Sequence, residues 1–157
     1  MGYLLTLKLI HILGATVLFG TGLGIAFFMV MAHRTRDPAI IAHTAGIVVL
    51  ADAVFTASAV IIQPVSGAFL AAAIGYSLWE SWVAASLALY VLIGACWLPV
   101  VWIQAQMRDL ARRAAEQGTA LPERYHRLFR IWFVLGWPAF IGVVAIFVLM
   151  IAKPALW

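Results

Sequence analysis

The chain has 157 residues, of which 66% are apolar and 10% are charged, and its formal net charge at pH 7 is +4. A soluble domain carries about 25% charged residues, so this composition excludes a chain that covers itself with polar side chains in water. The single cysteine, Cys96, excludes an intramolecular disulfide and any metal site built from several cysteines. The composition therefore predicts an integral membrane protein with one domain, residues 1–157.

Four stretches are apolar over the length that a helix needs to cross the hydrocarbon of a bilayer, about 20 residues. Backbone groups in lipid must be hydrogen-bonded internally, so each stretch is predicted to be an α-helix. The predicted fold class is all-α, a bundle of four transmembrane helices. The spans are expected at about 4–32, 40–63, 81–103 and 131–152.

The basic residues predict how these helices are oriented. Two arginines lie in the first connection and six in the third, while the middle connection contains no Lys or Arg. Only Lys8 and Lys153 fall on the opposite side. By the positive-inside rule, the first and third connections face the cytoplasm, and both termini face the periplasm of a bacterial inner membrane. The lipid bilayer thus explains the positive charge, and no nucleic-acid partner is expected.

The two longer connections are predicted to differ. Residues 104–130 combine helix formers, opposite charges four residues apart and a suitable helix end at Gly118, so they predict a helical hairpin in the cytoplasm. In the outer connection, the segment PVSG at 64–67 indicates a turn. Residues 68–75 after it are apolar but too short to span the bilayer. We expect them to cap the outer end of the bundle rather than to lie flat in the interface.

His11 lies inside the first span, where an imidazole costs free energy and marks a candidate functional site. Several small residues follow His11 on the same helical face. They either leave room for a flat cofactor or serve only helix packing. Because histidine commonly binds haem iron, haem b is the predicted cofactor. Lys8 is expected to pair with a propionate or to reach the lipid headgroups. Met150 is the candidate second axial ligand; a single ligand, or a histidine of another protomer, is the alternative. The predicted cofactor-binding residues are His11, Lys8, Gly14, Ala15, Leu18, Gly22 and Met150.

The second span contains Asp52, Thr56 and Gln63, which helical spacing places on one face. A carboxylate within the membrane must be neutralised or paired. We expect Asp52 either to be protonated or hydrogen-bonded and to fix helix packing, or to relay protons or orient His11. Glu80, at a depth similar to that of His11, is a further candidate for hydrogen bonding.

Three histidines, His33, His43 and His126, fall on the predicted cytoplasmic side. Neutral imidazoles bind divalent metals, so a metal site is one interpretation. Their spacing matches no metal motif and they lie among arginines, which favours interfacial histidines without a metal.

The chain resembles a bacterial family of predicted integral membrane proteins of unknown function, through the segments LKLIHILGATVLFGTGLG, ADAVFTASAVIIQPVSG and LGWPAF. The most specific parts are QPxSG at 63–67 and GWP at 136–138. More distantly, the first-helix histidine with its glycine-rich face resembles HemJ-type protoporphyrinogen oxidases and the membrane domain of CopD-type copper proteins. The HemJ resemblance implies four helices with haem b at His11. The lysine in the third helix of that family has no counterpart in 81–103.

These observations support three hypotheses for function. The first is a haem b-binding membrane protein with a role in electron transfer or porphyrin oxidation, an oxidoreductase like HemJ. The alternative is a non-catalytic accessory or assembly subunit of a larger membrane complex. The third is a small transporter or metal-handling protein that acts as a homo-oligomer. The chain has no Walker loop, dinucleotide fingerprint, HExxH motif or nucleophile elbow, which argues against nucleotide-driven and hydrolytic chemistry.

Overall fold

The computed structural model describes residues 2–157, and within that range the chain is helical without β-strands. These residues form five α-helices. A π-helical turn, Asp52–Thr56, lies between α2 and α3 and joins them in one continuous rod. The helices are α1 Gly2–Thr35, α2 Pro38–Ala51, α3 Ala57–Ile74, α4 Ser81–Gln117 and α5 Glu123–Ala152.

Within residues 2–157, four elements are each long and apolar enough to cross a membrane: α1, the α2–α3 rod, α4 and α5. This confirms the predicted four-helix class. The rod and α4 have 37 residues each, which is roughly 55 Å at the rise of an α-helix. That length is almost twice the hydrocarbon thickness of about 30 Å. These two helices therefore extend beyond the lipid.

A buried core lies at the end of the bundle that carries the first and third connections, which we call the arginine-rich end. All four membrane-crossing elements contribute to it, and its largest fully buried side chains are Met29, Ile41, Met107 and Tyr125. α1 packs along α2 and α3, and α4 packs along α2 and α5. α1 meets α5 over a shorter stretch, where the rings of Phe19 and Phe140 stack with 5.5 Å between centroids. Away from the core, the helices enclose a cavity.

The helical hairpin expected in residues 104–130 is present. α4 continues without a break to Gln117, and Gly118, with φ of 63°, donates its N–H to carbonyls of the last turn. The two arms are joined by Arg124 of α5, which donates a hydrogen bond to Gln106 of α4. The hairpin is therefore part of the packed bundle rather than a separate stalk.

The turn predicted at the PVSG segment is wrong, because α3 passes through it and ends at Ile74, where Gly75, with φ of 89°, caps the helix. Residues 68–75 are accordingly the last turns of a membrane helix and its C-terminal cap, not a lid on the bundle. Pro64 lacks the N–H that would bond the carbonyl of Val60. The hydroxyl of Tyr90 on α4 donates to that carbonyl instead. The helix tolerates the proline because a neighbouring helix satisfies the freed group.

Candidate functional site

A cavity of about 360 Å³ lies between α1, the rod, α4 and α5. It begins where the core of the arginine-rich end stops, since Trp132 belongs both to the core and to the cavity wall. The walls are mainly apolar, with aromatic rings from three helices that include Phe19, Trp97 and Trp137. A partly enclosed apolar space with a few polar groups is the usual form of a site for a small molecule.

Three glycines widen the cavity. Gly22 of α1, Gly94 of α4 and Gly136 of α5 line it, and a Cβ added at any of them meets no atom within 4 Å. The GWP motif contributes both Gly136 and Trp137 to the wall. Larger side chains at these positions would therefore fill the cavity without first displacing a neighbour.

Polar side chains meet at the end of the cavity next to the core. Asp52 and Thr56 of the π turn and Gln104 of α4 are 4%, 6% and 1% exposed, and the indole of Trp97 lines the same space. In the π turn, the N–H of Ala57 bonds the carbonyl of Asp52 five residues back. Such widened turns recur at functional sites.

Four buried polar atoms of this cluster make no hydrogen bond of good geometry within residues 2–157: Asp52 Oδ2, Thr56 Oγ1, Trp97 Nε1 and Gln104 Oε1. They lie close together, because the side chains of Thr56, Trp97 and Gln104 are within hydrogen-bonding reach of the Asp52 carboxyl. An unpaired buried polar atom costs about 1–3 kcal/mol. Four of them at one place require an explanation, because buried polar groups are nearly always paired. The four groups either pair with one another around the Asp52 carboxyl or are paired by a bound group.

The π turn also explains where Gln63 lies. Asp52 and Thr56 share the cavity side, as the spacing predicts. Gln63 instead faces α1, because the wider turn shifts the helical register of α3 relative to α2. The three predicted residues therefore belong to two different places.

His11 contacts α3 and does not line the cavity. Its Nδ1 lies 2.9 Å from Ser66 Oγ, and the Ser66 hydroxyl donates to the carbonyl of Gln63 at 3.2 Å. Because this hydroxyl has a single hydrogen, the Nδ1–H of His11 donates to Ser66 when Ser66 bonds Gln63, and in the other tautomer Ser66 donates to Nδ1. A Cβ added at Gly67 would lie 3.1 Å from the imidazole. Glycine at this position leaves the space that the ring occupies.

Gln63 occupies the glycine-rich face of α1 that was expected to seat a flat cofactor. With the amide oriented to satisfy both contacts, its nitrogen donates to the carbonyl of His11 at 2.8 Å and its oxygen accepts from the N–H of Ala15 at 3.2 Å. A Cβ added at Gly14 would lie 2.8 Å from the end of this amide. The QPxSG motif therefore has a structural role, since it fastens α3 to α1 around His11.

The predicted cofactor-binding residues are thus divided. His11, Gly14 and Ala15 lie in the contact between α1 and α3, whereas Leu18 and Gly22 line the cavity. The structure does not bring the five together around one space.

Three further predicted residues lie away from the cavity. Lys8 is exposed on α1, and Met150 is half-buried on α5. Glu80 is exposed just before α4, in a shallow pocket at the end opposite the core. Lys153 lines that pocket too, with its Nζ 5.0 Å from the centre of the Tyr76 ring.

The histidines of the arginine-rich end do not converge on one point. The rings of His33 and His126 are 5.9 Å apart between centroids, and His43 is exposed on α2. His33 stacks on Phe129 with 3.6 Å between centroids, and its Nδ1 lies 3.3 Å from the Tyr125 hydroxyl. Across residues 2–157, no three or more His, Cys, Asp or Glu side chains are grouped so that they could hold a metal ion.

A haem does not fit the residues at either place. Among the described residues, no histidine, methionine or cysteine lines the cavity, and the hydroxyl of Tyr90 is bonded to Val60. At His11, the face that a macrocycle would need is taken by Gln63. Asp52 in the cavity would also repel haem propionates. Haem b binding stays a prediction from the sequence.

The sequence analysis missed two members of the polar cluster, Trp97 and Gln104. Tyr90, Trp97 and Gln104 are spaced seven residues apart on α4, which places them on one helical face. This spacing was the available signal. Two partners of His11, Ser66 and Gly67, were also missed, because the PVSG segment was interpreted as a turn.

With four membrane-crossing elements packed around a cavity, the chain has the fold of a four-helix integral membrane protein. A family model described as "Predicted integral membrane protein (DUF2269)" matches residues 5–154. The chain belongs to this family. No curated protein and no solved structure matches the chain.

Proposed function

We propose that this protein binds a small, largely apolar molecule with a hydrogen-bonding head group in the cavity between its four membrane-crossing elements. The observation that carries the proposal is the set of four unpaired polar atoms at one end of an otherwise apolar space. The head group lies against Asp52, Thr56 and Gln104, and the apolar body lies along the aromatic walls.

Selection of the ligand depends on its head group. Lipid tails are as apolar as the cavity walls, so the body of the ligand gains little when it leaves the bilayer for the cavity. In the bilayer the head group of the free ligand lies at the hydrated interface, so on binding it exchanges water for the polar atoms at the end of the cavity. The polar cluster therefore accounts for most of the difference in free energy between the two environments.

Filling the cavity is expected to abolish binding. The probe is 1-naphthylmethanol, which has an aromatic body and one hydroxyl, and the protein is held in phosphatidylcholine nanodiscs. In Gly22→Leu the new side chain occupies the cavity, so binding measured by calorimetry should weaken by at least about 10-fold, or about 1.4 kcal/mol. Empty nanodiscs give the background from partition into lipid.

Gly20→Leu is the matched control. Gly20 lies on the same helix, is exposed and does not line the cavity, and an added Cβ there also meets nothing within 4 Å. This variant should bind the probe as the wild type does. If Gly22→Leu and Gly20→Leu weakened binding of the probe equally, or if the wild type showed no saturable binding, the proposed function would be contradicted.

An absorption spectrum of detergent-purified protein tests the haem b prediction separately. The prediction requires a Soret band that His11→Ala abolishes. Because Gln63 fills the face beside His11, we expect a colourless preparation even from haem-replete cells. A stoichiometric Soret band in the wild type would show that the contact between α1 and α3 opens to admit the macrocycle.

The redox, accessory-subunit and transport hypotheses stay predictions, as do assembly into a homo-oligomer and docking on a larger complex.

Some charge of the hairpin is compensated locally, since Arg108 pairs with Asp109 at 2.9 Å and Arg130 with Glu123 at 3.5 Å. These pairs lie at or near the surface and contribute little to stability.

A further inference from the structure

We infer that the head group taken by the cavity is a protonated amine, so that the ligand is a lipophilic ammonium compound. This inference rests on the proposed function and names the class of molecule that the same site binds. It follows from the charge of the cavity lining, from the donors and acceptors left unpaired, and from the aromatic walls.

The charge of the lining favours a cation. Among the described residues, the cavity is lined by one carboxylate, that of Asp52, and by no lysine, arginine or histidine. A phosphate, sulfate or carboxylate head group would lie beside Asp52 with no cation to compensate either charge. Anionic lipids and fatty acids are therefore poor ligands for this site.

The unpaired atoms favour a head group rich in donors. When Asp52 is ionised, its Oδ2 only accepts hydrogen bonds, as Gln104 Oε1 does, whereas the Thr56 hydroxyl can donate or accept and Trp97 Nε1 only donates. A carbonyl head group, such as that of a quinone or an ester, would leave both strict acceptors unpaired. An ammonium group brings N–H donors for Asp52 and Gln104 at once.

A buried ion pair is stable only when further hydrogen bonds satisfy the remaining polar atoms. The cluster offers them, because the Thr56 hydroxyl and the Trp97 indole N–H, which can both donate, lie within hydrogen-bonding reach of the Asp52 carboxyl. Gln104 is left to accept from the ammonium. The pair of Asp52 and the bound amine is neutral overall, which suits a space enclosed by apolar walls.

The aromatic walls add a second attraction for cations. Trp97 lies at the polar end, and Trp132 and Trp137 also line the cavity. The face of an indole ring attracts an ammonium ion more strongly than other aromatic rings do. A neutral head group would gain nothing comparable from these rings.

The test compares two probes with the same aromatic body, 1-naphthylmethylamine, which is protonated at neutral pH, and 1-naphthylmethanol. The protein is again held in nanodiscs of zwitterionic phosphatidylcholine, so that lipid charge does not favour the amine. We expect the wild type to bind the amine at least about 10-fold more tightly than the alcohol, as charge-assisted hydrogen bonds require. Asp52→Asn should reduce this ratio to about twofold or less, because it removes the charge that favours the amine over the alcohol.

Glu80→Gln is the control for removal of a carboxylate, because Glu80 lies outside the cavity, and it should keep the full preference for the amine. If the wild type binds both probes equally, the inference is overturned, yet loss of both in Gly22→Leu would leave the proposed function standing. If neither probe binds saturably, both fail. If Asp52→Asn does not fold, the ratio measured on the wild type decides the matter by itself.

Discussion

Met107→Ala should lower the free energy of unfolding by about 2–5 kcal/mol, the usual cost of removing a large side chain from a close-packed core. Met107 is fully buried and packs in the core of the arginine-rich end, beyond the span predicted from the sequence. The substitution leaves a hole that the neighbouring helices close only in part. Unfolding of the detergent-purified protein by titration with sodium dodecyl sulfate, followed by circular dichroism, measures the change.

Leu98→Ala is the matched control on the same helix. Leu98 is 65% exposed, so its side chain contacts lipid rather than other helices, and we expect a change below about 0.5 kcal/mol. If both variants lost a similar free energy of unfolding, α4 would be packed no more closely at its arginine-rich end than at its lipid-facing surface, and the prediction would be wrong.

Gly14→Ala should destabilise the protein by about 1–3 kcal/mol. The added Cβ would lie 2.8 Å from the end of the Gln63 amide, which is held by hydrogen bonds to His11 and Ala15. Gln63, which is half-buried, must therefore move and give up one or both of these bonds, each with a net value of about 0.5–1.5 kcal/mol. The same titration measures the loss.

Gly22→Ala is the matched control for Gly14→Ala, because it is the same substitution on the same helix. The added Cβ meets nothing within 4 Å, and alanine is favoured over glycine in a helix by about 1 kcal/mol. We expect this variant to equal or exceed the wild type in stability. If Gly14→Ala proved as stable as Gly22→Ala, Gln63 would not be a tight contact between α3 and α1.

Some features of the fold were accessible from local patterns. Four apolar stretches longer than about 20 residues are sufficient to predict four membrane-crossing helices. Gly118 and the charge pairs before it correctly predicted the helical hairpin. These predictions succeed because the length of an apolar helix and the conformation of its cap depend on neighbours in the sequence.

The prediction for Pro64 failed for the opposite reason. Proline and glycine close together are typical of a turn, and whether a helix continues through them depends on the group that satisfies the freed carbonyl. Here that group is the hydroxyl of Tyr90 on another helix. The error ended the second helix too early and hid the contact of His11 with Ser66.

The amino-acid sequence by itself determined that this protein is a four-helix membrane protein with ionisable side chains inside the bilayer, because hydropathy and helix length are properties of single segments. Only the tertiary structure decided that His11 is held by α3, while Asp52, Thr56, Trp97 and Gln104 meet at a cavity. The physical reason is that the role of a buried polar group depends on which hydrogen-bond partners surround it. Those partners come from other helices, at distances along the chain that no local pattern specifies.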